Sequence, residues 1–117
     1  MTITREMITD MFTSIRGRAK WSIDGECLWS YFFTDTNREK LLAAGRALEA
    51  SGFKVVGFLE PAEQTNGMVY LRLDRIETHT VESLFALNEW LYEFAEAQNL
   101  ASYDGMEAGS AASGIGN

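Results

Sequence analysis

Residues 80–99 read TVESLFALNEWLYEFAEAQN, and the spacing of side chains in this stretch decides the fold. Leu84, Leu87, Leu91, Phe94 and Ala95 recur at the three- and four-residue intervals that gather side chains on one side of a helix, while Glu82, Glu89, Glu93 and Glu96 form a narrow stripe almost opposite. Thr80 or Thr78 supplies the N-cap. A helix apolar on one side must lie on something. The stretch 67–74 just before it alternates Val69, Leu71 and Leu73 against Met68, Tyr70, Arg72 and Asp74, the period of a half-buried strand.

Working outward, residues 37–51 form a second helix signed at both ends. Thr36 followed by Glu39 has capping-box spacing, and Gly52 before Phe53 has the arrangement of a C′ glycine with a hydrophobic successor. Its buried side carries Leu41, Ala44, Gly45 and Leu48, small enough at two positions to approach a sheet closely. Residues 54–60 read as a strand. Residues 61–66 read as a polar hairpin loop, in which Asn66-Gly67 tolerates positive φ. The aromatic run 28–34 reads as another strand, with Asp24-Gly25 as a tight turn joining it to 21–23 in a small hairpin. Residues 4–16 form a short amphipathic helix on Ile8, Met11, Phe12 and Ile15, capped by Thr4 and stopped by Gly17. Residues 100–103 make a short last strand ending at Asp104-Gly105.

Apart from the N-terminal helix, the order is strand, helix, strand, strand, helix, strand, which is the split βαβ plan. The expected fold is therefore α+β: a ferredoxin-like split βαβ sandwich with a four-stranded antiparallel sheet, two helices on one face and an added N-terminal helix. The opposite sheet face, showing Met68, Tyr70, Arg72 and one of Tyr31, Phe32 and Phe33, needs a cover from the N-terminal helix or another subunit. The chain divides into a helix and linker at 1–20, a ferredoxin-like domain at 21–107 and a flexible Gly/Ala/Ser tail at 108–117.

Composition narrows the function. A chain of 117 residues, 46% hydrophobic and 23% charged, is one globular domain with a real core. The single Cys27 excludes an internal disulfide and a Cys-only metal site. No apolar run approaches the roughly 18 residues of a membrane span, and the polar N-terminal stretch has no signal-peptide core, so the expectation is a soluble cytoplasmic protein. All ten Lys and Arg residues lie before Ile76, whereas residues 76–117 hold seven acidic residues and no Lys or Arg. That third of the chain repels phosphate and favours a basic protein patch.

Chemistry-bearing residues are few. His79, at the start of a helix, reads as a solvated or capping histidine, and Cys27 as a small apolar filler; nothing positions the two as a pair. Glu89 and Glu93 lie one turn apart among like charges, with no His or Asp to complete a metal or glycosidase site. The glycines form no phosphate-binding loop. No catalytic residue, metal or cofactor is expected. Exposed aromatics on a split βαβ sheet can stack bases, but Arg16, Arg18 and Lys20, with Arg72 and Arg75, are too few for a nucleic-acid footprint, and no direct nucleic-acid binding is expected. A better surface is the long helix itself. Phe85 and Tyr92 border the glutamate stripe and Trp90 flanks its other side, making Glu82, Phe85, Glu89, Trp90, Tyr92, Glu93 and Glu96 the candidate protein-binding residues.

Three short segments carry a resemblance. They are Trp29-Ser30-Tyr31-Phe32-Phe33, the run Leu48-Glu49-Ala50-Ser51-Gly52-Phe53-Lys54-Val55, and Tyr103-Asp104-Gly105-Met106-Glu107. On these, residues 29–107 resemble the regulator of ribonuclease activity B family, the protein inhibitors of ribonuclease E. That family shows Tyr-Asp-Gly-Trp-Glu where this chain has Met106 in place of the tryptophan. The resemblance implies a ferredoxin-like fold and an acidic cytoplasmic protein that binds the ribonuclease and lowers its activity without chemistry of its own. Within the motif, Gly105 is suited to a sharp turn after the last strand, Asp104 to accepting backbone hydrogen bonds there, and Tyr103 to anchoring the strand to the long helix. The alternative is an oligomeric α/β structural or interaction protein with no ribonuclease target, its open sheet face buried by self-association.

Overall fold

The computed structural model describes residues 2–60 and 67–112. Its elements run α1 (Arg5–Arg18), β1 (Cys27–Asp35), α2 (Arg38–Glu49), β2 (Lys54–Leu59), β3 (Val69–Glu77), α3 (Val81–Ala97) and β4 (Ser102–Ser110). The four strands form one open sheet in the order β2-β3-β1-β4, every neighbouring pair antiparallel. This α+β architecture fits the split βαβ plan. β1 and β3 pair along their whole lengths, from Cys27 opposite Glu77 to Asp35 opposite Val69.

Alternation along the two central strands sorts their side chains. Cys27, Trp29, Tyr31 and Phe33 of β1 and Leu71 and Leu73 of β3 point under the helices and are buried. Tyr31 meets Phe53 edge-on at 5.5 Å, and Phe33 meets Phe94 of α3 at 5.9 Å. α2 sits so close to the sheet that a Cβ on Gly45 would come within 3.0 Å of methyl groups of both Leu71 and Val55. α1 joins this same layer, so that among the described residues the opposite sheet face is uncovered. Its Ile8, Phe12 and Ile15 are buried, and Phe12 stacks on Trp29 at 6.2 Å. The opposite face shows Tyr70 and Arg72 with Phe32 rather than Tyr31 or Phe33, and Met68 lies just ahead of β3. At its centre Asp74 accepts hydrogen bonds from Ser30 (2.7 Å) and Arg72 (2.9 and 3.1 Å).

Several local expectations change. Gly17 is inside α1, which runs to Arg18, because the chain reaches its extended cap only at Ala19. The turn at Asp24-Gly25 forms, with the Gly25 N–H donating to Ser22 O at 3.2 Å, but 21–23 make no strand and the turn simply feeds β1. α2 is capped by Asn37, which accepts the Lys40 N–H at 3.0 Å, and not by Thr36. At its other end Gly52 takes φ +90° and the Phe53 N–H reaches Leu48 O, the C′ glycine geometry. Asp104-Gly105 does not end β4. The register against β1 slips between Phe32 and Phe33, so Asp104 is an extra residue, Gly105 takes φ +109° and the strand continues to Ser110. Residues 108–110, expected in the tail, are therefore paired to β1; the rest of the expected tail from 113, and the loop at 61–66, lie outside the described residues.

Asp35 ties three elements together. Only 5% exposed, it accepts the Asn37 N–H (2.8 Å) ahead of α2 and the Ala101 N–H (2.9 Å) ahead of β4, with the Lys40 ammonium at 3.2 Å. Burial works to raise its carboxyl, but the Asn37 N–H, Lys40 and the Ala101 N–H together outweigh burial and hold it below the usual carboxylate range. A native value below the unfolded one means that the stabilisation is complete above about pH 4–5 and is lost as pH falls through the depressed native value. Asp35→Asn is expected to cost about 1–3 kcal/mol at pH 7 and to flatten the acid limb of stability, read by urea denaturation between pH 3 and 7.

Candidate functional site

The exposed side of α3 is the face the sequence singled out. Thr80 caps the helix: its side chain accepts the Ser83 N–H (3.0 Å) while Ser83 Oγ accepts the Thr80 N–H (2.8 Å). Leu84, Asn88, Leu91 and Ala95 are buried, and Glu82, Glu89, Glu93 and Glu96 stand in water on the other side. Phe85 and Tyr92 are half-buried along the stripe's edge. Trp90, 43% exposed, lies on the far flank and stacks on Phe94 at 5.5 Å. Phe85 and Tyr92 thus border the glutamate stripe on one flank and Trp90 on the other.

The N-terminal segment reaches this stripe. Arg5 Nε lies 2.7 Å from Glu82 Oε1, and its guanidinium sits 4.4 Å from the Phe85 ring centroid. The Tyr92 hydroxyl accepts the Ile3 N–H at 2.9 Å, and the Tyr92 ring meets Tyr103 edge-on at 4.9 Å. Shallow grooves follow, one lined by Thr2, Glu89, Tyr92, Glu93 and Glu96, another running over Tyr92, Ser102, Tyr103 and Asp104.

The motif residues 103–107 divide between scaffold and surface. Tyr103 is buried between Phe33 and Tyr92, and its hydroxyl donates to Asn88 Oδ1 at 2.6 Å inside the fold. Burial pushes its phenol far above the usual tyrosine range, so it stays a donor. The bulge at Asp104 and Gly105 lets Tyr103 and Met106 both face the helices, which strict alternation would forbid. Asp104 and Glu107 stay exposed. Asn88 escaped the sequence reading, although a polar residue between Leu84 and Leu91 on an apolar stripe is a visible signal.

His79 departs from expectation. It is buried, with its ring edge-on to Trp29 at 5.3 Å, Nδ1 at 2.9 Å from Ser83 Oγ and Nε2 at 3.0 Å from Glu77 Oε2. The Tyr31 hydroxyl donates to the same Glu77 oxygen (2.7 Å). Burial works to raise Glu77, but hydrogen bonds from His79, Tyr31 and Arg75 hold it below the usual range. Ser83, His79 and Glu77 have the residue types of a hydrolytic triad, yet Ser83 is engaged in the capping box and Glu77 is shared three ways. The row acts as a clasp between the end of β3 and the start of α3. Cys27 is not part of it, since its thiol faces the Ser22 and Gly25 carbonyls. Among the described residues no group of His, Cys, Asp or Glu could hold a metal ion, and no helix is long and apolar enough to cross a membrane.

Tyr103→Phe should cost about 1–3 kcal/mol, because it strands the buried Asn88 carbonyl; adding Asn88→Leu should recover most of that loss, both read from urea midpoints.

A family model described as regulator of ribonuclease activity B matches residues 17–108, a span that takes in β1, α2, β2, β3, α3 and most of β4 but little of α1. No curated protein matches the chain. With well over half its length matched, across every strand of the sheet, the chain belongs to the regulator of ribonuclease activity B family.

Proposed function

We propose that this protein is a cytoplasmic, non-enzymatic regulator that binds a ribonuclease E-like enzyme and lowers its activity, meeting a basic surface of the enzyme with the acidic face of α3. Membership of a family of ribonuclease regulators supports the target class. The observation that carries the surface is the exposure of Glu82, Glu89, Glu93 and Glu96 on one side of α3, beside Phe85 and Tyr92, in a third of the chain without Lys or Arg. The carboxylates steer and select a basic partner, and the ring edges add apolar contact area. The same charges repel RNA, so the enzyme rather than its substrate is bound.

The open sheet face favours a second reading. Leu59 and Ile76 are 44% and 41% exposed there, and pairing of two copies through this face would bury them. Sedimentation separates the two: a tight dimer indifferent to salt supports self-association, and a monomer supports the first reading.

Calorimetry with the ribonuclease at two salt concentrations tests the proposal. Micromolar or tighter binding that weakens with salt is expected, together with a loss of at least about tenfold for Glu89→Lys/Glu93→Lys. Absence of binding at micromolar protein removes this target. Competition by RNA would mark inhibition by occlusion of the enzyme's substrate channel.

A further inference from the structure

The register of the strands sets the open face out in rows that cross the whole sheet. One row reads Lys54, Asp74, Ser30, Glu107, the next Gly57, Arg72, Phe32, Gly105, and a third Leu59, Tyr70, Thr34, Ser102. Paired residues share a face, so Lys54 and Glu107 stand at opposite edges of the side away from the helices. Both are exposed, and neither has an ion-pair partner among the described residues. Three strand spacings, about 14 Å, keep them apart within one chain.

A two-fold axis running along the strands, between β3 and β1, reverses each row on itself. Lys54 then lies over Glu107 of the second copy, Glu107 over its Lys54, and Asp74 over its Ser30 hydroxyl. In the next row Arg72 lies over Phe32 of the second copy, so the ring covers a guanidinium already held by Asp74 at 2.9 and 3.1 Å. Gly57 meets Gly105 at both edges, where no side chain holds the sheets apart. The third row brings no orphaned hydroxyl from Thr34 or Ser102, which bond each other at 2.6 Å. A two-fold axis across the strands through the first row sets Lys54 on Lys54, Asp74 on Asp74 and Glu107 on Glu107, so charge selects the first arrangement. Aligned sheets cross at about 30°, which moves edge partners by about 4 Å, within the reach of these long side chains. The face measures roughly 19 by 30 Å, a flat area of nearly 600 Å² before side-chain relief is counted, against about 800 Å² per partner in a standard stable interface.

We infer that the open sheet face pairs with the same face of a second copy about a two-fold axis parallel to the strands. The inference rests on the self-association reading and gives its dimer a geometry. Because α3 lies on the other side of the sheet, both acidic stripes stay in water. Apolar contact and the Arg72–Phe32 stacks hold the pair together, and the edge charges choose its arrangement.

The test mixes ¹⁵N-labelled and unlabelled full chains and treats them with a water-soluble carbodiimide, which joins an ammonium to a carboxylate only where the two touch. Cross-linked peptides carrying Lys54 from one label and Glu107 from the other are expected. Sedimentation should show a dimer at micromolar protein that weakens at least about tenfold with Lys54→Glu or with Glu107→Lys, since each sets like charges face to face. Combining the two swaps should restore the affinity to within about threefold. Circular dichroism, unchanged by substitution at these exposed positions, separates lost pairing from lost folding. A chain still monomeric at about 0.1 mM overturns the inference together with the self-association reading. A dimer indifferent to both swaps, or one whose cross-links all lie elsewhere, overturns this arrangement and leaves self-association standing. Ribonuclease binding is read separately by calorimetry, so its failure removes the docking role of α3 and not this pairing.

Discussion

The roll of α3 on the sheet, set by its buried Leu84, Leu91 and Ala95, is pinned by the hydrogen bond from the Tyr103 hydroxyl to Asn88. Asn88 is fully buried, and its amide nitrogen donates back to Leu84 O at 2.8 Å, so its carbonyl has one good partner inside the fold. Rotating the helix by one residue's worth of arc would leave that carbonyl and the phenol both unpaired in a dry interior, a cost of several kcal/mol added to that of exposing the buried leucines. Because the roll is fixed, the side of α3 that faces water is fixed too. The glutamate stripe is thus held outward by the apolar and polar contacts on the opposite side of the same helix.

That contact depends on the bulge in β4. The extra residue at Asp104 shifts the alternation so that Tyr103 and Met106 both turn inward, and Gly105 takes up the positive φ that makes the shift cheap. The Tyr-Asp-Gly part of the motif is in this sense architectural: an anchor, an extra residue and the glycine that permits it. Glu107, further along, pairs with Ser30 in the register and faces the open side of the sheet near Arg72. The open face keeps a polar centre, in which Ser30, Arg72 and Asp74 satisfy one another, with apolar side chains at its two ends.

Local grammar was legible wherever a signal and its consequence lie within one turn or one strand. The leucine and glutamate spacings of 80–99, the cap at Thr4, the glycine at 52 and the small residues Ala44 and Gly45 all led to the structure observed, because each reports a contact already implied by helix or strand geometry. Where two local readings share the same residues, the sequence was ambiguous. Asp-Gly serves a turn and a bulge equally well, and only pairing with β1 decides between them. Asn37 displaced Thr36 as cap because Asp35, two residues before it, engages the Asn37 N–H and sets where the helix starts.

By itself the sequence determined the class of the fold, the amphipathic faces of its helices and the concentration of negative charge in its last third, since these follow from periodicity and composition. Only the tertiary structure decided that His79 is buried against Trp29, Glu77 and Ser83, that α1 lies beside α3 and not across the open sheet face, and that Arg5 sits on Glu82 and Phe85. Those contacts join residues far apart in the chain, and their geometry depends on how whole elements pack, which no short window of residues records.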